Sequence, residues 1–269
     1  TDPQELVAVL NPMSNDQKLL RSSLLPNLIK NIRTNAGLGE RNLGLFELGK
    51  VFSGKTPAIT EELRLGVALW GRAEELSWRL PEGRAWDFYD LTGLLELLLA
   101  VFKVKGGLKA TRTAVDGFHP GRTATLAAAG TVLGMAGELH PAVMKELDLP
   151  GKILMMEVSL PALVGVRGGI GRCSAVSRFP SLYRDLAFVV GEDVPAGELM
   201  ETIRKAARSL AGLSLISEFR GEQVGTGRKS LAFSLEFVNE ERTLSDEEAE
   251  AIQQGIIKSV KEKHGGLLR

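Results

Sequence analysis

The sequence predicts an α+β protein of two domains: an antiparallel sheet flanked by helices over residues 1–165, then a βαββαβ plait over 177–269. Three observations predict it. Strand-like runs recur at hairpin spacing through the first part, which favours antiparallel pairing. Two long segments carry apolar residues three and four apart, as helices with one buried face do. A Gly- and Ser-rich stretch, GVRGGIGRCSAVSRFP (165–180), separates the two patterns, and 166–176 within it reads as a linker.

In the first domain, Leu6–Leu10 reads as a strand closed by the Asn11-Pro12 turn signal. A helix is predicted from Lys18 to Asn35, with Leu24, Leu25, Leu28, Ile29 and Ile32 on one face, Pro26 in its first turn, and Gly37 and Gly39 ending it. Strands follow at Leu43–Phe52 and through the alternating Leu63, Leu65, Val67 and Leu69, with the turn-rich SGKTPAIT between them. Asp87–Lys103 reads as a second helix with a stripe of Phe88, Leu91, Leu94, Leu95, Leu98 and Phe102. The runs ATRTAV, TATLAAAG, TVLGMAGEL and KILMMEVSL suggest further strands, with a short helix near Pro141–Leu147.

The second domain reads more simply. Strand Asp185–Val190 leads to a helix at Ala196–Leu210, strands at Leu213–Phe219 and Ser230–Val238, a helix at Asp246–Lys263 and a short Leu267–Leu268. Leu231, Phe233, Leu235 and Phe237 alternate as one buried sheet face requires. Ser245 and Glu248 have capping-box spacing, and Gly265 stops the last helix. This order is the ferredoxin-like plait.

Composition narrows the function. Lys plus Arg and Asp plus Glu are both 33, and the split is 20 against 18 before residue 177 and 13 against 15 after it. No global basic field exists, so RNA contact would need a local patch. Cys173 is the single cysteine, which excludes a disulfide framework and fits a reducing, cytoplasmic setting. The longest apolar runs are too short to span a bilayer, so no membrane partner is expected. The opening TDPQELVAVLNP, without an initiator Met, reads as a cut into a longer protein.

No chemistry-bearing constellation stands out. His119, His140 and His264 lie far apart without ligand spacing, so no metal site is expected. Cys173 sits in the linker, and no nucleophile elbow occurs, so no catalytic residue is assigned. GVRGGIGR lacks the helix that a phosphate cradle needs after its glycines. Arg21, Lys30 and Arg33 fit a solvated helix edge better than an RNA contact. Whether the two apolar helix faces meet an internal core or a partner subunit is left open. In the plait, Phe179 and Tyr183 would pack its edge, or exposed aromatics beside Arg and Lys would offer a surface for unpaired bases. Phe219 and Arg220 end one strand, and Arg228, Lys229 and Ser230 open the next.

The run SRFPSLYRDLAFVV (177–190), then ISEFRG (216–221), GRKSLAFSLEF (227–237), ERTLSDEE (241–248) and the terminal LLR resemble the ferredoxin-fold anticodon-binding domain of the bacterial phenylalanyl-tRNA synthetase beta-subunit family. NPMSNDQKLLRSSLLPNLIKNI, LFELGKVF, GFHPGRTA and GMAGELHP resemble the region upstream in that subunit, a class II synthetase-like module that has lost catalysis. The motif 2 position two residues before Glu47, where a working site has Arg, holds Leu45. The resemblance implies no cofactor in this fragment, while the holoenzyme uses ATP and magnesium. It implies partners in the alpha subunit, as an alpha2-beta2 heterotetramer, and in the phenylalanine tRNA; apolar surface left uncovered without the alpha subunit would separately allow the fragment to form a homodimer. It places Phe219 on an anticodon base, Ser217 and Ser230 by the polar base edge, and Arg178, Arg184, Arg220, Arg228 and Lys229 at phosphates or bases. Ser217 and Phe219 depart from the acidic residue and Tyr often found there. The rival readings are a divergent adenylating enzyme and a small-molecule sensor built on the plait.

Overall fold

The structure is a computed structural model that describes residues 6–12, 18–55, 57–169, 179–207, 209–239, 242 and 244–269. The chain divides into two compact units, Thr1–Gly171 and Arg172–Arg269. The 165–180 segment falls largely outside the described residues, and Cys173 and Arg178 with it.

In the first unit, the strand expected at Leu6–Leu10 is reduced to one bridge, Ala8 with Leu19. Helix α1 spans Leu25–Gly37 and starts later than the apolar pattern suggested. Arg21 explains the delay: its carbonyl accepts from Phe52 N–H at 2.8 Å, which holds the approach to the helix against a strand. Strands β1 (Leu43–Lys55) and β2 (Ala58–Trp70) pair along their whole length. The turn-rich SGKTPAIT is therefore mostly strand, because Gly54 takes φ +102° and lets the hairpin close tightly.

A small hairpin that sequence patterning did not reveal follows, β3 (Arg72–Glu74) with β4 (Arg84–Ala85). Helix α2 (Phe88–Val101) opens on a capping box made by Asp87 and Asp90. Leu91, Leu95 and Leu99 are its buried residues, whereas Leu94, expected inside, is exposed. Then come β5 (Leu108–Arg112), β6 (Phe118–Ala128), β7 (Thr131–Leu139), α3 (Pro141–Leu147), β8 (Ile153–Ser159) and the short α4 (Leu160–Gly165). His140 caps α3, its Nδ1 accepting from Ala142 N–H at 3.1 Å, which gives that histidine a structural task.

These strands form one antiparallel sheet in the order β1-β2-β8-β7-β6-β5. One face packs Val67, Leu69, Leu126 and Met156 against Leu91, Leu95 and Leu99 of α2. The other packs Ala68, Trp70, Ile153 and Met155 against Leu25, Leu28 and Ile32 of α1. The α1 face thus meets an internal core, one of the two possibilities that sequence left open. Strand β8 is covered on both faces, and its ILMMEV run is apolar but for Glu157.

The second unit contains β9 (Leu182–Gly191), α5 (Ala196–Ala206), β10 (Leu210–Phe219), β11 (Arg228–Phe237), α6 (Asp246–His264) and β12 (Leu267–Leu268). Its sheet runs β10-β11-β9-β12 with every pair antiparallel, the ferredoxin-like arrangement. Leu186, Phe188, Val190, Leu231, Phe233, Leu235 and Phe237 turn to one side, where Leu199, Ile203, Ile256 and Val260 of the helices meet them. The Ser245–Glu248 capping box forms as expected, and Gly265 adopts the left-handed conformation at the other end.

Candidate nucleic-acid interface

With both helices on one side, the opposite face of the second sheet has no packing partner among the described residues of its unit. Register decides what this face displays. Strand β10 pairs with β11 through a first register shift between Leu210 and Gly212 and then regularly to Leu215, which faces Phe233; the next pair is Ser217 with Ala232. Ile216 is therefore one residue too many, a β-bulge, and it reverses the phase of the strand end. Because of it, Ser217 and Phe219 turn to the open face beside Ala232 and Ser230.

Across the sheet, one row contains Phe219, Ser230, Val189 and Leu267; the row beside it contains Ser217, Ala232 and Ala187. Ser230, directly opposite Phe219, is small, and Phe219 is 42% exposed. The ring tip lies over Gly221, where a Cβ would stand 2.9 Å from Cζ, so no larger residue fits there without displacing the ring. Arg269 lies with its guanidinium carbon 5.5 Å from the ring centroid. Its Nη2 donates to Gln223 Oε1 at 3.1 Å, and its backbone N–H donates to Ala187 O at 2.9 Å. Such a cation–π contact at an exposed site stabilises by about 0.5–1 kcal/mol.

Sequence reading did not single out Arg269. Its position was legible only as part of the LLR ending, because the contact joins residues 50 positions apart by number (269 − 219). Arg228 stands opposite Gly191 on the same open side and is exposed. Thus Ser217, Phe219, Arg228 and Ser230 of the expected set come together, and Ser230 is buried among them.

The other expected residues are placed differently. Arg184 stands opposite Leu235, on the helix side, and its Nη2 donates to Asp246 at 2.6 Å. Lys229 stands opposite Val190 on that side and is buried. Arg220 lies past the end of β10, held at 2.6 Å by Glu192 and at 2.5 Å by Glu218. The hydrogen bond to Glu192, reinforced by both carboxylate charges, raises its pKa further. Its charge is thereby partly offset. Arg178 is outside the described residues.

At the far end of the open face, Tyr183 is exposed and donates through its hydroxyl to Glu236 at 2.9 Å. Ser181 donates to the same carboxylate at 2.6 Å, and the two hydroxyls hold Glu236 below the ordinary carboxylate range. The face so has an acidic, hydroxyl-lined end and an aromatic, cationic end. The second matches what an unpaired base and its phosphate need.

Around Glu47 the first unit offers no comparable nucleotide cradle among the described residues. Glu47 pairs with Arg21, and Leu45 packs beside the α1 core. A Cβ at Gly66 would lie 3.0 Å from both Leu24 and Leu28, so α1 rests directly on the sheet there. These residues do not fit an ATP–magnesium group. Among the described residues no three His, Cys, Asp or Glu side chains stand together as metal ligands, and no helix is long and apolar enough to cross a membrane.

Comparison with known families decides the affiliation. Residues 1–160 match the phenylalanyl tRNA synthetase beta chain CLM domain, and residues 177–269 match the ferredoxin-fold anticodon binding domain. The chain belongs to the phenylalanyl-tRNA synthetase beta-chain family. Among its relatives, the phenylalanine–tRNA ligase beta subunit of Syntrophotalea carbinolica is 36% identical over 272 residues, covering 100% of this chain and 34% of that protein. The corresponding subunit of Geobacillus kaustophilus is also 36% identical, over 98% of this chain and 33% of its own length. The chain spans about a third of the length of these relatives. A pyrrolysyl-tRNA synthetase structure from Desulfitobacterium hafniense superposes with a TM-score of 0.44 at 15% identity, covering 61% of this chain and 53% of that one, which is too loose to support an argument. Within the family's anticodon-binding match lie the whole open face, Phe219 and Arg269.

Proposed function

We propose that this chain is the part of a phenylalanyl-tRNA synthetase beta subunit that supports the catalytic alpha subunit and binds the anticodon region of the phenylalanine tRNA during ATP-dependent aminoacylation in the cytoplasm. The observation that carries the reading is the bulge at Ile216, which puts Phe219 and Ser217 on an open sheet face in register with Ser230. Phe219 offers an exposed ring for a base, Ser217 and Ser230 offer hydroxyls to its edge, and Arg228 and Arg269 offer charge to phosphates. ATP and magnesium belong on this reading to the alpha subunit, and the chain alone is catalytically silent. On this reading the synthetase-like module is residues 1–165, followed by a 166–176 linker and the anticodon-binding domain at 177–269. Its uncovered apolar side chains face the alpha subunit in the heterotetramer.

The test is binding of the 269-residue chain to the phenylalanine anticodon stem-loop, with two variants. Phe219→Ala is expected to weaken binding about tenfold, the lower part of the roughly 1–3 kcal/mol that one base–aromatic stack supplies. Arg184→Ala, on the helix side, is expected to leave affinity within about twofold. Equal losses in both variants would remove the open face from the reading.

A further inference from the structure

Two segments of the first unit, GFHPGRTA and GMAGELHP, play no part in the anticodon reading, yet they build a cleft of about 530 Å³ on the α2 side of the sheet. We infer that this cleft binds a phosphate group carried on a small molecule or a nucleic-acid strand. The site is independent of the open face of the second unit.

Its cationic wall is shaped by the loop before β6 regains its pairing with β7. Between the pairs Phe118–Leu139 and Thr123–Gly137 the register shifts, which frees residues 119–122 from the ladder. The loop is then fixed by its own groups. His119 Nδ1 accepts from Gly121 N–H at 3.0 Å, and Thr123 Oγ1 donates to His119 O at 2.8 Å. Gly137 permits the close approach: a Cβ there would stand 2.7 Å from Thr123 Oγ1 and 2.9 Å from Arg122 O. The result sets Arg122 opposite Glu138, and the guanidinium meets both carboxylate oxygens, at 2.9 and 3.1 Å.

Arg112 reaches across from β5, its Nη2 donating to the Gly121 carbonyl at 3.0 Å. That acceptor is neutral, so the charge of Arg112 is not cancelled by it. Lys152 closes the rim at the start of β8. Among the described residues neither Arg112 nor Lys152 has a carboxylate within ion-pair distance. The acidic groups near the cleft are committed elsewhere: Glu138 to Arg122, and Asp90, whose oxygens meet Arg84 at 2.9 and 3.0 Å. Three cations, Arg112, Arg122 and Lys152, therefore line the cleft with the single lining carboxylate of Glu138, while Asp90 lies outside the lining but close enough to Lys152 for their charges to interact. Its floor is apolar, formed by Phe88, Ala110, Ala124 and Leu154.

An apolar floor with a few directed polar groups, in a volume between about 300 and 1,000 Å³, is the usual make-up of a small-molecule site. The cations suit an oxyanion, because arginine presents paired donors to phosphate and lysine adds a point charge. The apolar floor suits the body to which the phosphate is attached. No catalytic step is implied. The prediction is binding alone.

Isothermal titration of the 269-residue chain with AMP, adenosine and inorganic phosphate tests the site. A second arm uses a short single-stranded RNA with the Phe219→Ala chain, so that the open face contributes little. AMP is expected to bind saturably and adenosine at least tenfold more weakly. Lys152→Ala and Arg112→Ala are each expected to weaken AMP about tenfold, as loss of a charge-assisted hydrogen bond does. Lys152 makes no hydrogen bond to the loop, so its variant separates ligand contact from loop damage. RNA binding that falls with Lys152→Ala, without AMP binding, would support the same phosphate site with a polymer as its source. AMP affinity unchanged in both variants, equal affinity for adenosine, or no lysine-dependent binding of either phosphate ligand would overturn the inference.

Discussion

Glu157 shows how one residue ties sequence to architecture. It is the charged exception in an otherwise apolar, two-sided strand, and it is 8% exposed. Its Oε1 accepts from Leu24 N–H at 2.6 Å and from Ser23 Oγ at 3.0 Å, while Arg64 meets its other oxygen at 2.9 Å. The N-cap residue Leu24 has no capping side chain; Ser23 Oγ accepts from Leu25 N–H at 3.2 Å, and the Glu157 carboxylate, 133 residues away, accepts from Leu24 N–H and complements the positive end of helix α1. Beside it, burial pushes Glu62 up, but hydrogen bonds from Ser159 and Arg64 outweigh that and leave its carboxyl lowered. Glu157→Gln is expected to lower the urea stability of the first unit by about 1.5–3 kcal/mol, the usual worth of a hydrogen bond to a charged group. An unchanged midpoint would show that the cap is dispensable. The residues that alternation can assign, such as Phe188, Leu231 and Phe233, were legible in the sequence. Glu157 was not, because its partners are remote. The placement of Arg184 was not legible for the same reason: beside Tyr183 it reads as an RNA contact, and only the fold brings Asp246 to it.

At the scale of elements, termini and bulges carried what the pattern could not. The second helix of the plait was legible from Ser245, Glu248 and Gly265 because capping is local chemistry. Arg242 and the Ser245 N–H hold Glu248 to a pKa of about 2. This group is depressed on folding, so its stabilisation is full above the ordinary glutamate range and is lost as pH falls through it towards about 2. The expected outcome is an acid-side loss of α6 helicity by circular dichroism that is smaller in Glu248→Gln, whose cap no longer titrates. Identical acid profiles would exclude the group as a source of that loss. Strand β10 teaches the opposite lesson. Its alternation breaks at the adjacent Leu215 and Ile216, but nothing local tells which residue is the extra one. The phase of the candidate site is set by pairing with β11, which sequence periodicity does not record. In the first unit, α2 was found from its stripe, whereas the β3–β4 hairpin is too short to carry a pattern.

At the scale of the molecule, two units with separate cores leave apolar surface uncovered. On edge strand β1, Phe46 is 75% and Leu48 56% exposed, both on the side away from α1. An exposed apolar edge strand invites pairing with another chain. The proposal assigns this surface to the alpha subunit, and in its absence to a second copy. Sedimentation of the chain alone is expected to show concentration-dependent dimerisation that Phe46→Lys abolishes; a monomer at every concentration would leave that surface unoccupied. The central claim, however, concerns the other unit. Its most direct test is competition for the 269-residue chain between intact phenylalanine tRNA and the same tRNA with its anticodon bases replaced. The account predicts that the altered tRNA competes at least tenfold less well at physiological salt, and that Phe219→Ala abolishes the difference. Equal competition by the two tRNAs would contradict it, since an open face that reads bases cannot be indifferent to them.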